Sequence, residues 1–250
     1  MKIKFYGSSH GLPERDRFCT SVLIEAEKNH YMVDAGAPIA DLLIRDGLKL
    51  EDVKAMFITH LHGDHVDGLP QYFDLATWAY TDTDPEIFTP SLYLKDAVDA
   101  WIKLEFRNPP REFKYREISE GEIYSDGVIK VRAYRTAHMR DTHPGHERYS
   151  YGFAIDEVAT GKKILFTGDL TSEMSDFPVV AFDEHFDTVV LEGAHTPLHE
   201  CMGVLKKCKT DCFIVGHVNP EVVTGESVET VRSELNVPVT VACDMAEYII

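Results

Sequence analysis

The run Ala55-Met56-Phe57-Ile58-Thr59-His60-Leu61-His62-Gly63-Asp64-His65 sets both the fold and the chemistry of this chain. An apolar strand ends in three imidazoles and a carboxylate within six positions, as at a sheet edge where side chains converge and the backbone can turn. Gly63 permits the turn. His60 and His62, two apart on extended chain, project to the same side and can reach one ion. Asp64 and His65 follow the turn, at the start of a helix expected near Gly68, and can reach a second ion. Carboxylate with imidazole suits zinc, and manganese or iron would also be accepted.

Further donors follow apolar strands elsewhere. Val131 to Thr136 runs into Ala137-His138, Ile164-Leu165-Phe166 into Thr167-Gly168-Asp169, and Phe213-Ile214-Val215 into Gly216-His217. In the last two a glycine precedes the ligand, as expected where a strand end bends to turn a side chain into a crowded site. Asp64 and Asp169 among so many imidazoles would be costly to bury unpaired, and metal ions would neutralise them.

Outward from these motifs, strands are expected at Lys2 to Tyr6, Cys19 to Ala26, His30 to Asp34, Ala55 to Thr59, Val128 to Thr136, Tyr149 to Ile155, Lys163 to Thr167, Thr188 to Leu191, Asp211 to Val215 and Val239 to Ala242. Helices are expected at Pro38 to Asp46, Gly68 to Trp78, Leu94 to Phe106, Glu200 to Cys208 and Ser227 to Leu235. The mixture predicts α/β layers. The stretch 80–115 carries Thr81-Asp82-Thr83-Asp84-Pro85 and Pro109-Pro110, and reads as an insertion or cap over one end. With no dividing linker and no repeat, residues 1–250 are expected to form a single domain.

The chain has 250 residues, and 25 Lys and Arg against 42 Asp and Glu give a net charge of -17. A 44% hydrophobic and 27% charged composition excludes a disordered or collagenous chain. The acidity argues against an extended nucleic-acid surface, which Lys and Arg would have to supply. No run reaches the roughly 18 to 20 apolar residues that cross a bilayer, and the start alternates like a strand rather than a signal peptide. Five unevenly spaced cysteines read as reduced thiols in a cytoplasmic protein. Cys208 and Cys212 could share a metal, but no second close pair accompanies them.

Thr59 to His65 resembles the signature of the metallo-β-lactamase superfamily, and His138, Asp169 and His217 fall where its later motifs occur. The resemblance implies a four-layer αββα sandwich with a dinuclear site at one edge. It also implies that His60, His62 and His138 hold the first metal, that Asp64, His65 and His217 hold the second, and that Asp169 bridges them. Gly7-Ser8-Ser9-His10-Gly11-Leu12-Pro13 is similar to the opening of the ribonuclease Z-like and cyclic phosphodiesterase branch. Ser150-Tyr151-Gly152-Phe153, ahead of Phe166-Thr167-Gly168-Asp169, is similar to its middle, so the likeness runs from about residue 3 to residue 244. The chain departs from ribonuclease Z at Leu191-Glu192-Gly193-Ala194-His195, where Leu191 stands in place of the His of a His-Glu-Ala-Thr segment. The glycine- and proline-rich arm that grips transfer RNA is not apparent either. The branch resemblance further points to a homodimer.

The expected function is that of a dinuclear metal-dependent hydrolase, in which a metal-bridging hydroxide attacks a small or cyclic phosphodiester. Asp64 would orient that hydroxide. His195 and His199, which follow the strand Thr188 to Leu191, are candidates to protonate the leaving group. Arg140, His143 and His146 lie on the loop leaving His138 and are candidate substrate contacts, Arg140 for a phosphate; His10 is another. Competing readings are a thioester or lactone hydrolase, a ribonuclease Z-type endonuclease and a non-hydrolytic iron-binding redox protein.

Overall fold

The computed structural model describes residues 1–12, 14–139 and 149–250. Among the described residues two seven-stranded sheets form. The first runs, edge to edge, β14 (Glu247–Ile249), β1 (Lys2–Gly7), β2 (Ser21–Ala26), β3 (Asn29–Val33), β4 (Val53–Phe57), β5 (Glu86–Thr89) and β6 (Lys114–Glu117). The second runs β13 (Val239–Val241), β12 (Phe213–Val218), β11 (Thr188–Gly193), β10 (Lys163–Phe166), β9 (Ser150–Glu157), β8 (Ile129–Thr136) and β7 (Gly121–Ser125). Each sheet is antiparallel along one half and parallel along the other.

Parallel neighbours need crossovers, and helices supply them. On the first sheet these are α1 (Ile39–Arg45), α3 (Leu69–Trp78) and α4 (Tyr93–Glu105), with the single turn α2 (Gly63–Val66) before α3. On the second they are Val180–Asp183, Met202–Leu205 and Gly225–Glu234. Side-chain alternation then sorts the apolar residues into layers. Val22, Ile24, Tyr31, Val33, Ala55 and Phe57 face the second sheet, while Leu23, Met32, Met56 and Ile58 face the helices. A third cluster fills the space between the second sheet and its helices. The result is the four-layer αββα sandwich. Because β4 is covered on both faces from Ala55 onward, Ala55 to Phe57 reads as a continuous apolar run.

Phe57 joins the two sheets, with its ring 5.3 Å from Phe88, 5.4 Å from Tyr124 on β7 and 6.0 Å from Phe153 on β9. Aromatic pairs of this kind contribute about 0.5–1.5 kcal/mol each beyond the area they bury. They anchor β4 just before the ligand-bearing segment begins.

The stretch 80–115 supplies β5 and α4 and leads into β6, so it prolongs the parallel edge of the first sheet. Leu94, Val98 and Ile102 of α4 pack into the helix-side core. Asp84 ties the preceding turn to β6 through Arg111 at 3.1 Å and Lys114 at 2.8 Å. The expected helix Glu200 to Cys208 divides into a 3-10 turn, Leu198–Cys201, and the helix Met202–Leu205. Among the described residues no helix is long and apolar enough to cross a membrane.

Candidate metal centre

The site gathers where β3, β4, β8, β10, β11 and β12 end at one edge of the sandwich. Its base is Asp34, just past β3, a buried residue at φ 59. The Asp34 carboxylate accepts from the Thr59 amide at 2.8 Å, from the Thr59 hydroxyl at 2.9 Å and from His65 Nδ1 at 2.7 Å. Since Thr59 spends its single hydroxyl proton on Asp34, its oxygen accepts from His60 Nδ1 at 3.0 Å. Both rings are thereby fixed with Nε2 toward the site, the arrangement in which a carboxylate behind a ligand orients it and raises its basicity.

His60 Nε2 and His138 Nε2 lie 3.0 Å and 3.2 Å from His62 Nδ1. Two ligand atoms held by one tetrahedral zinc ion stand about 3.3 Å apart, so His62 Nδ1 stands from both of these nitrogens as such an ion requires. Across the site His65 Nε2 is 3.2 Å from Asp64 Oδ2, and His217 Nδ1 is 3.9 Å from the same oxygen. Asp169 Oδ2 lies between the groups, 3.7 Å from His60, 3.8 Å from His138, 3.7 Å from His65 and 3.1 Å from His217. Gly168 makes this placement possible, since at φ 64 a Cβ there would come within 2.3 Å of the Tyr151 carbonyl oxygen.

Two observations make this donor set fit metal ions. Asp64 Oδ2 and His65 Nε2 are buried without a hydrogen-bond partner, a costly state that a bound cation relieves. Ligand atoms of His60, His62 and His138, and separately of Asp64, His65 and His217, all lie within 4.8 Å of one another. The protonation states of His60, His62 and Asp169 agree with this, whereas at His65 burial, which lowers the pKa, is outweighed by the charges of Asp34 and Asp169, and the ring is held well above the usual histidine range, so a metal ion there would displace its proton. Burial and the neighbouring imidazoles hold His60 well below the usual histidine range, and burial with His138 pushes His62 down to about 4. Burial alone would raise the Asp169 carboxyl, but His217, His65 and His60 hold it well below the carboxylate range. Neutral imidazoles and an ionised carboxylate are the forms that bind metal.

At the rim, His195 follows β11 on a turn organised by the buried Glu192. One Glu192 oxygen accepts from the Ala194 and His195 amides at 2.6 Å and 3.1 Å, and the other pairs with His195 Nδ1 at 3.1 Å. The His195 ring thus stands 4.6 Å from that of His138, with 32% of its side chain exposed. Burial, which lowers its pKa, is outweighed by the hydrogen bond and charge of Glu192, and the ring is pushed up to about 9.

Of the residues expected from sequence, the structure brings together His60, His62, Asp64, His65, His138, Asp169, His217 and His195. His199 is exposed beside Glu200, and His10 pairs with Glu14 at 3.1 Å. Arg140, His143 and His146 lie outside the described residues. Cys208 and Cys212 donate to separate carbonyls, those of Val204 and Asp187, and all five cysteines are free. Sequence reasoning assigned no role to Asp34, Thr59, Glu192 or Thr20. For Asp34 a signal existed, because the strand His30 to Val33 runs into Asp-Ala-Gly much as the ligand strands run into their donors.

The family described as Anti-Pycsar protein Apyc1 matches residues 1–223. Ribonuclease BN of Cronobacter sakazakii is 30% identical over 160 residues, which cover 63% of this chain and 50% of that protein. The chain spans about half the length of the first relatives it matches. The metallo-β-lactamase fold protein YhfI from Bacillus subtilis superposes with a TM-score of 0.76 at 15% identity, over 99% of both chains. The short form of human tRNase Z superposes with a TM-score of 0.74 at 20% identity, over 100% of this chain and 99% of that one. These two likenesses establish the fold. With the family match extending over residues 1–223, the chain belongs to the anti-Pycsar protein Apyc1 family, and its fold is the metallo-β-lactamase fold.

Proposed function

We propose that the protein is a metal-dependent hydrolase of phosphoric diesters whose substrate is small or cyclic and anionic. The observation that carries this reading is the pair of three-residue ligand sets sharing Asp169, with His195 at their rim. His60, His62 and His138 would hold one divalent ion and Asp64, His65 and His217 a second, with Asp169 common to both; zinc suits the donors best, and manganese or iron also fits. Ions so placed supply a hydroxide nucleophile near neutral pH and withdraw charge from the phosphoryl oxygens.

The chain's own groups supply the rest. Asp34 and Thr59 keep His60 and His65 in the tautomer that presents Nε2. Asp64 lies beside His65 with one oxygen unpartnered, placed to orient the attacking water. Glu192 holds His195 protonated at neutral pH, with Nδ1–H bound and Nε2–H left to give to the leaving oxygen. Once masked by two cations, the seven ligands no longer present a negative site to a phosphodiester. The remaining acidity, -17 overall, favours a small substrate over an extended polyanion. A cytoplasmic location fits the five free thiols. A single domain fits an inter-sheet cluster drawn from both halves of the chain.

The test is a substrate panel offered to zinc-loaded protein: a cyclic nucleoside monophosphate, a single-stranded oligoribonucleotide, a thioester and a lactone. Turnover of the cyclic diester, with inorganic phosphate inhibiting competitively, is the expected result. Preferential cleavage of the oligoribonucleotide would favour the activity named by the ribonuclease relatives. Turnover of the carbonyl substrates alone would overturn the phosphodiester assignment.

We also propose a homodimer built on α4. Tyr93 and Leu104, each 79% exposed, and the exposed Ala97 and Ala100 follow the spacing of a coiled-coil seam beside the buried Leu94, Val98 and Ile102. Two such stripes laid antiparallel set Tyr93 against Leu104 and Ala97 against Ala100, and bring Asp96 toward Lys103 of the second copy. Sedimentation of wild type at micromolar concentration should give a dimer, and Leu104→Glu should give a monomer. A wild-type monomer would remove the idea.

A further inference from the structure

His217, in the second ligand set, has the left-handed backbone φ of 48, a conformation that a non-glycine residue keeps only when its surroundings hold it. What holds it comes from the two ends of the chain. Thr20 donates its hydroxyl proton to the Ser9 carbonyl at 2.7 Å. Its oxygen must therefore accept from His217 Nδ1 at 2.7 Å, which leaves Nε2 facing Asp169. The Ser9 carbonyl thus fixes the tautomer and rotation of a metal ligand through one hydroxyl. The same stretch grips the neighbouring backbone, since the Val218 amide donates to the Ser8 carbonyl at 2.7 Å and Ser9 bridges Val218 in parallel.

The stretch 8–12 is itself pinned from the far end of the sequence. One Asp244 oxygen accepts from the Ser8 amide at 2.9 Å and the Ser8 hydroxyl at 2.6 Å, and the other accepts from the Phe18 amide at 2.5 Å. The Ser9 amide donates to the Phe18 carbonyl at 2.9 Å, so the Asp244 carboxylate clamps both sides of this base. Arg17 completes the clamp, with its guanidinium donating to the Ser8 hydroxyl and to the Ala242 carbonyl. Beyond the base the stretch passes over the other end of the same ligand set. A Cβ built on Gly11 would stand 3.9 Å from Asp64 Oδ1.

We propose that Asp244 is a positioning residue for the second metal: through Ser8, Ser9 and Thr20 it sets the ring of His217, and through the same stretch it walls the Asp64 side. In the first ligand set His60 takes its orientation from the other side of the site, through Thr59 and the Asp34 carboxylate that holds it. The two metal affinities should therefore respond separately. The proposal rests on the two-metal reading above and deepens it.

The test is a zinc titration of metal-free protein against a chromophoric chelator, read without any assay of activity. Wild type should give two affinities. Asp244→Asn keeps the shape but puts a donor where an amide needs an acceptor, and should weaken the second affinity about 10–100-fold, the usual cost of losing a group behind a ligand, with the first unchanged. Thr20→Val should do the same at the other end of the chain of contacts, Thr20→Ser should restore binding, and the double variant should fall short of the sum of the singles because both act on one ring. An unchanged second affinity in both Asp244→Asn and Thr20→Val, or equal loss at both metals, overturns the proposal. A wild type that takes up one zinc ion overturns the two-metal reading and this proposal with it, a result separate from either of those.

Discussion

Asp169→Ala is expected to lower phosphodiester turnover by about three orders of magnitude or more while the sandwich remains folded. The carboxylate is 3% exposed, and one oxygen lies within 3.8 Å of ring nitrogens from four histidines in both ligand sets. No neighbouring group can take over that geometry. In the proposed two-metal site its loss would remove the one negative charge common to both cations and leave His60, His65, His138 and His217 facing one another. Metal assistance of this kind lowers a barrier by several kcal/mol, and each 1.36 kcal/mol is about tenfold in rate. The fold should survive, because the three apolar clusters that bind the layers do not include Asp169. Metal content measured beside turnover should fall below two ions per chain. Full activity in the variant would show that the shared carboxylate is not part of the machinery.

His195→Gln is the second large effect, and its size should depend on the leaving group. A nucleoside or alkyl oxygen departs as a strong base and needs a proton in the transition state, whereas p-nitrophenolate leaves without one. Glu192 keeps His195 charged and aimed, with Nδ1 at 3.1 Å and the turn fixed by two amides. Loss of a positioned general acid typically costs about 10²–10⁴-fold, so a diester with an alkyl or ribose leaving group should lose that much in kcat. Cleavage of a p-nitrophenyl diester should change by less than about tenfold. Equal losses on the two substrates would assign His195 to binding or to structure and leave the leaving group without this donor.

How much of this could be read from the chain follows from where the information sits. The candidate ligands stand out in the sequence because they follow apolar strands and four of them crowd into six residues, His60 to His65, a density of imidazole and carboxylate that no turn or helix cap requires. The layers were legible where strands are long and covered on both faces, as in Ala55 to Ile58. Strands β5, β6, β7 and β14 were not foreseen, since three to five residues carry too little alternation and their pairing is set by partners distant in sequence. The stretch 80–115 reads as an insertion or cap because Thr81 to Pro85 and Pro109-Pro110 favour turns, and the helix expected within it at Leu94 to Phe106 forms as α4, positioned by Leu94, Val98 and Ile102 against the core beneath it. Asp34, Thr20 and Glu192 were missed for another reason. A single polar residue after a strand resembles any turn residue, and only the folded chain brings Thr20 to His217 across 197 positions. Asp244 is the extreme case, tied to Ser8 across 236 positions.

The measurement that tests the central claim most directly is hydrolysis of bis(p-nitrophenyl) phosphate by zinc-loaded protein with two ions per chain confirmed, run beside its chelated form and beside Asp169→Ala. The account predicts turnover that vanishes on chelation, returns on reloading and is lost in the variant. A wild type that carries both ions and leaves the diester intact would contradict it.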